Sequence, residues 1–134
     1  MSTFNAFLKK NKKSKPTMKL AVSEAFVDES GKPVEWEIKA LSMKEFNDAV
    51  DQATGPNGER NRDKMNNEII AAAVVFPDLH DGDLQESYGV ENEAALVREM
   101  FDGYAGDYVK LLNAIMDYSG LNEPLTEKVA EAKN

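Results

Sequence analysis

From Thr17 the chain alternates with a period of two: Met18, Leu20 and Val22 on one side, Lys19, Ala21 and Ser23 on the other. A turn candidate follows at Asp28-Glu29-Ser30-Gly31-Lys32-Pro33, and then Val34, Trp36, Ile38 and Ala40 alternate with Glu35, Glu37 and Lys39. Successive strand side chains point to opposite faces, so the pattern predicts an antiparallel hairpin with one wet face. A lone hairpin is marginal in water, and its apolar face must lie on helices or pair with further strands. Trp36 would be the hairpin's largest core residue. Its functional alternative is an interface anchor, which its place in an alternating strand disfavours.

From Ser42 the period becomes helical. Ser42-Met43-Lys44-Glu45 has capping-box spacing, and Met43, Phe46, Val50 and Ala53 share one face, predicting a helix over residues 43–53. Gly55-Pro56-Asn57-Gly58 cannot continue it and reads as an exposed turn, without the Gly-x-x-x-x-Gly-Lys pattern of a phosphate loop. A second helix is expected over residues 62–76, with a polar opening (Asn61, Asp63, Asn66, Asn67, Glu68). Its apolar end carries Met65, Ile69, Ile70, Ala72, Ala73 and Phe76 on a broad face that suits the middle of the protein, and Pro77 stops it. Asp83 stands three residues before Glu86, a variant capping-box spacing that starts a short helix closed by Gly89 in the left-handed conformation.

A helix from Asn92 or Glu93 presents Leu96, Val97, Met100 and Phe101 and stops at Asp102-Gly103. Another, from about Asp107, aligns Tyr108, Leu111, Leu112, Ile115 and Tyr118 before a Gly120 cap. Pro124 opens a last short helix with Leu125 and Val129 on one side. The fold class is α+β, mainly α: an N-terminal β-hairpin packed on a bundle of about four helices. The expected organisation is a flexible basic arm over residues 1–16, one globular domain over 17–121 and a weakly ordered segment over 122–134.

At 134 residues the chain suits one core. With no cysteine it holds neither disulfides nor a thiolate metal site, which fits a reducing cytosol. It has no run of 18 apolar residues, and the opening MSTFNAFLKKNKKSKP lacks the apolar core of a signal peptide, so an intracellular, soluble protein with no membrane partner is expected. The net charge of −8 conceals an asymmetry: residues 1–20 carry six lysines and no acid, leaving ten basic and 24 acidic groups, a net of −14, on the remainder. Such an arm suits nucleic acid, an anionic membrane or an acidic partner; its plainer readings are a solubilising tail or an arm folded onto the protein's own acidic surface. Phe4, Phe7 and Leu8 could form one amphipathic turn ahead of the lysines, either as a docking element for another subunit or as a satellite of the core.

Candidate chemistry is sparse. The corner Pro77-Asp78-Leu79-His80-Asp81-Gly82-Asp83 sets three carboxylates beside the only histidine, but it fails the EF-hand order, and zinc would need further nitrogen or sulfur ligands. Aspartates capping a helix start are the ordinary explanation. No nucleophile stands near His80, and no carboxylate pair lies in an apolar setting that would split its pKa values, so catalytic residues, metal ligands and cofactor-binding residues are all assigned as none. Nucleic-acid binding would rest on the lysine arm alone, which lacks arginine, on a body that repels phosphate. Tyr88, Tyr104, Tyr108 and Tyr118 are enough phenols for a recognition surface, or are half-buried with wet hydroxyls.

Three segments, VEWEIKALSMKEF, VVFPDLHDGDLQESYGV and GDYVKLLNAIMDYSGL, together resemble the tail assembly chaperones of tailed phages and phage-like elements of Gram-positive hosts. The family pattern falls on Trp36 and on residues 71–75, 77–79, 84–89 and 108–120, covering about residues 34–121. The resemblance implies a non-catalytic assembly factor without cofactor, acting in the cytoplasm of the bacterial host and absent from the mature virion. It would bind and solubilise the tape measure protein, help recruit the tail tube protein, and self-associate along the client. Phe101, Tyr104 and Tyr108, near the turn between the last two major helices, are the partner-binding residues chosen. A longer frameshifted form is also implied, for which the codons of Lys133-Asn134 could supply an A-rich site. A generic adaptor, a structural tail component and a nucleic-acid binder acting through the arm are the alternatives.

Overall fold

A computed structural model describes residues 3–122. The expected last helix around Leu125 and Val129, and the Lys133-Asn134 terminus, lie outside the described residues. Two short 3-10 turns, Thr3–Phe7 and Lys9–Asn11, precede the first strand. Strands β1 (Met18–Ala21) and β2 (Glu35–Ile38) then pair antiparallel, with Leu20 opposite Trp36 and Met18 opposite Ile38. The connection closes where expected: Val27 bridges Pro33, the Asp28 carboxylate accepts from the Ser30 and Lys32 amides at 2.8 and 3.0 Å, and Gly31 supplies a φ of +83°.

Helix α1 (Met43–Gln52) starts with the full capping box, the Ser42 hydroxyl accepting from the Glu45 amide and Glu45 from the Ser42 amide, each at 3.1 Å. The following turn is a tight loop in which Thr54 bridges Arg60 and Gly58 adopts a φ of +80°. Helix α2 (Arg62–Ala73), capped by Asn61, packs against α1 on one side and against α4 and α5 on the other.

The expectation of helix through Phe76 is corrected. α2 stops at Ala73, and Val74–Phe76 form a third strand, β3, antiparallel to β2 with Ile38 opposite Val74, Glu37 opposite Phe76 and a bulge between them. Two β-branched valines followed by a residue before proline favour extended backbone, and the free edge of β2 offers the ladder bonds that the helix would otherwise have supplied. Phe76 consequently leaves the expected core face and is 54% exposed, while Val74 is buried. The hairpin's apolar face is thus resolved both ways: it gains a strand and lies on the helices, in a sheet of order β1-β2-β3.

Helix α3 (Gly82–Ser87) is capped by Asp81, not Asp83, its carboxylate accepting from the Leu84 amide at 2.9 Å; Gly89 closes the segment with a φ of +69°. Helices α4 (Glu93–Met100), capped by Asn92, and α5 (Ala105–Tyr118) are the last elements among the described residues, and Gly120 follows α5 with a φ of +75°. One core holds Trp36, Ile38, Ile69, Ile70, Leu79, Leu96, Val97, Leu111 and Ile115, contributed by sheet and helices alike. Each such side chain contributes roughly 1.5–3 kcal/mol by leaving water.

Candidate partner-binding surface

An open cleft of about 790 Å³ lies between the polar first half of α2 and the α4–α5 corner, lined by groups that include Lys64, Asn67, Arg98, Phe101 and Tyr108. Its walls follow from helix geometry. Asn67 stands three and four residues before Ile70 and Ala71, so the helical period carries it onto the inward face of α2. There it is buried and accepts a 2.7 Å hydrogen bond from the Tyr108 hydroxyl on α5. Burial raises the Tyr108 phenol above its ordinary value, and the charge of Asp63 adds to this.

The three residues chosen from the sequence have different surroundings. Phe101 is 5% exposed, its ring 5.6 Å from Trp36, 6.2 Å from Phe26 and 5.9 Å from Tyr108, so it joins sheet to helices. Tyr108 is half-buried with its hydroxyl on Asn67, and Tyr104, 44% exposed, lies instead on a separate groove with Ser23, Asp107 and Lys110. Phe101 and Tyr108 therefore meet in one cleft wall, and Tyr104 faces away from it.

Asn67 and Glu68 belong by sequence to the polar opening of α2, yet both are buried, at 8% exposure each. Glu68 faces Glu93 at the start of α4. Burial first, then the hydrogen bond and charge of Glu93, push the Glu68 carboxyl up to about 7, with Lys64 opposing. Burial also acts to raise Glu93, but its own backbone amide, the Glu68 carboxyl, His80 and Lys64 outweigh it and hold Glu93 below its ordinary value. The expectation that no carboxylate pair has its values split by an apolar setting is thus corrected: Glu68 is raised and Glu93 lowered, because α2 and α4 bury them against each other. The one local signal is the place of Glu68 beside Ile69, ahead of a wholly apolar turn; the burial itself comes from α4 and α5.

At the corner, Asp78 accepts from the His80 amide at 3.0 Å and Asp81 caps α3, so these carboxylates order a turn. Among the described residues no group of three or more His, Asp or Glu side chains is placed to hold a metal ion, and no helix is long and apolar enough to cross a membrane. At the other end of the molecule Lys15 donates to the Tyr118 carbonyl and lies 4.2 Å over the Tyr118 ring, while the Tyr118 hydroxyl donates to the Pro16 carbonyl.

This arrangement of a small sheet on five helices recurs in a solved structure. The crystal structure of the protein YqbN matches with a TM-score of 0.77 at 19% identity, covering 90% of this chain and 98% of that one. The family model described as phage XkdN-like tail assembly chaperone protein matches residues 4–133. The chain belongs to that family. Among its relatives is the protein XkdN of the phage-like element PBSX of Bacillus subtilis strain 168, 21% identical over 125 residues, 87% of this chain and 84% of the relative. The protein YqbN of the same strain is likewise 21% identical over 125 residues, 83% of its length. The family assignment accords with the resemblance carried by Trp36, the Pro77 corner and α5.

Proposed function

We propose that this tail assembly chaperone binds the tape measure protein, keeps its apolar helical segments soluble during tail morphogenesis, and acts without catalysis. Membership of the tail assembly chaperone family carries this reading. The α2/α4–α5 cleft supports it physically, because it is open and sets Ala95, Ala105 and the Tyr108 ring beside charged groups, a mixed lining that suits an amphipathic segment. The strongly acidic body would keep a complex with an apolar client in solution. Within this reading the protein works in the host cytoplasm, self-associates along the client, helps recruit the tail tube protein and leaves before the virion is complete.

Co-expression with the tape measure protein of the same gene cluster, followed by size exclusion and light scattering, tests the proposal. A soluble complex with several copies per client is expected. An insoluble client beside a chaperone of unchanged mass would refute it. Recovery of the protein from purified tails would make it a structural component instead.

A further inference from the structure

The arm and the corner carry opposite charge. Residues 1–20 hold six lysines and no acid, whereas residues 77–97 hold six acids (Asp78, Asp81, Asp83, Glu86, Glu91 and Glu93) and no lysine or arginine. Each is also flanked by exposed apolar surface. Phe7 is 83% exposed on the arm, and Val75, Phe76 and Tyr88 are 44%, 54% and 37% exposed beside or within the acidic stretch. Among the described residues, no arm lysine forms an ion pair with a carboxylate. The root of the arm, meanwhile, is fixed on the end of α5 through Lys15, Pro16 and Tyr118.

We propose that the basic arm of one copy docks on the acidic corner of a second copy, its lysines against the carboxylates around α3 and Phe7 against the exposed Phe76 ring. The proposal deepens the self-association part of the function above. Lys9, Lys10, Lys12 and Lys13 meet no carboxylate among the described residues, so an arm held at its root can present them to a neighbour's carboxylates. Lysine-to-carboxylate contacts alone are individually worth little at a surface, so the aromatic contact is needed to fix the register. A contact between two different patches is heterologous, and it either closes into a ring or grows into a row, as many copies on one long client would require.

The test uses the full chain without client, so its failure is distinguishable from failure of client binding. Light scattering should give a mass at least twice the 14.9 kDa of one chain at about 0.05 M salt, falling to one chain at about 1 M, where screening shortens to ~3 Å. Reversing the arm (Lys9→Glu, Lys10→Glu, Lys12→Glu, Lys13→Glu) should give monomer, and so should reversing the corner (Asp83→Lys, Glu86→Lys, Glu91→Lys), each with unchanged circular dichroism. Mixing the two variants should restore association, and Phe7→Ala should weaken the wild-type contact several-fold. A wild type that stays at 14.9 kDa at low salt, variants that keep the wild-type mass, or a mixture that stays monomeric would each overturn the proposal. Co-purifying nucleic acid lost on arm reversal, with no change in protein mass, would overturn it in favour of a nucleic-acid role.

Discussion

Glu68 shows how one carboxyl can set a pH dependence. Its folded-state value, near 7, lies above that of an unfolded glutamate, so the native state holds a proton that the unfolded chain releases. That contribution to stability is present in full at acid pH and is lost as pH rises from about 4.5 to about 7. Glu93 works in the opposite sense, its depressed value favouring the folded state above the ordinary carboxylate range. Because the Glu68 shift is the larger, Glu68→Gln should stabilise the protein at pH 8, where the amide replaces a buried anion. A gain on the order of 1–2 kcal/mol is expected, below the full conversion of the shift because the neighbouring cleft admits solvent. Urea unfolding at pH 5 and pH 8 measures it, and the gain should shrink towards the lower pH. Equal destabilisation at both values would mean that the carboxylate is ionised and well paired.

The helix starts separate what the sequence shows from what it hides. Ser42, Asn61 and Asn92 cap α1, α2 and α4, each a polar side chain just before a helical apolar period, and those three starts are readable directly. At α3 two aspartates compete one residue apart, and spacing to Glu86 favours Asp83, whereas the backbone places Asp81 at the cap. Asp81→Ala should therefore cost about 1 kcal/mol in chemical denaturation, and Asp83→Ala only the few tenths belonging to a charge in the first helical turn. Equal losses would contradict the observed cap. β3 was hidden for a different reason. Val74, Val75 and Phe76 continue the apolar run of α2, and a short apolar run does not by itself distinguish buried helix from strand. The ladder to β2, a non-local contact, decides it. Asn67 and Glu68 were obscured likewise, since their burial comes from α4 and α5, more than 20 residues away in sequence.

At the scale of the whole molecule, the sheet and the helices are held together by an aromatic series: Phe26 and Trp36 from the hairpin, Phe101 from the end of α4 and Tyr108 from α5, with neighbouring rings 5.6–6.2 Å apart. Removing the ring at Phe101 would open a cavity at the junction of both layers, at a cost of about 3–5 kcal/mol. Against a typical domain stability of roughly 5–15 kcal/mol, that loss leaves a marginal protein. Tyr104, three residues later and exposed, should change stability by no more than about 0.5 kcal/mol when replaced by alanine. Trp36, the only tryptophan and 1% exposed, reports the outcome by its own fluorescence. Phe101→Ala should shift the urea midpoint strongly downward in a single transition followed by both fluorescence and circular dichroism, since sheet and helices share one core. Two separated transitions would show that the layers fold independently. An unchanged midpoint with weakened client binding would instead make Phe101 a contact residue. The buried ring predicts the reverse: client binding by Phe101→Ala falls only as far as folding does, while cleft variants at Arg98 or Lys64 affect binding with the fold intact, and Tyr104→Ala, outside the cleft, leaves both unchanged.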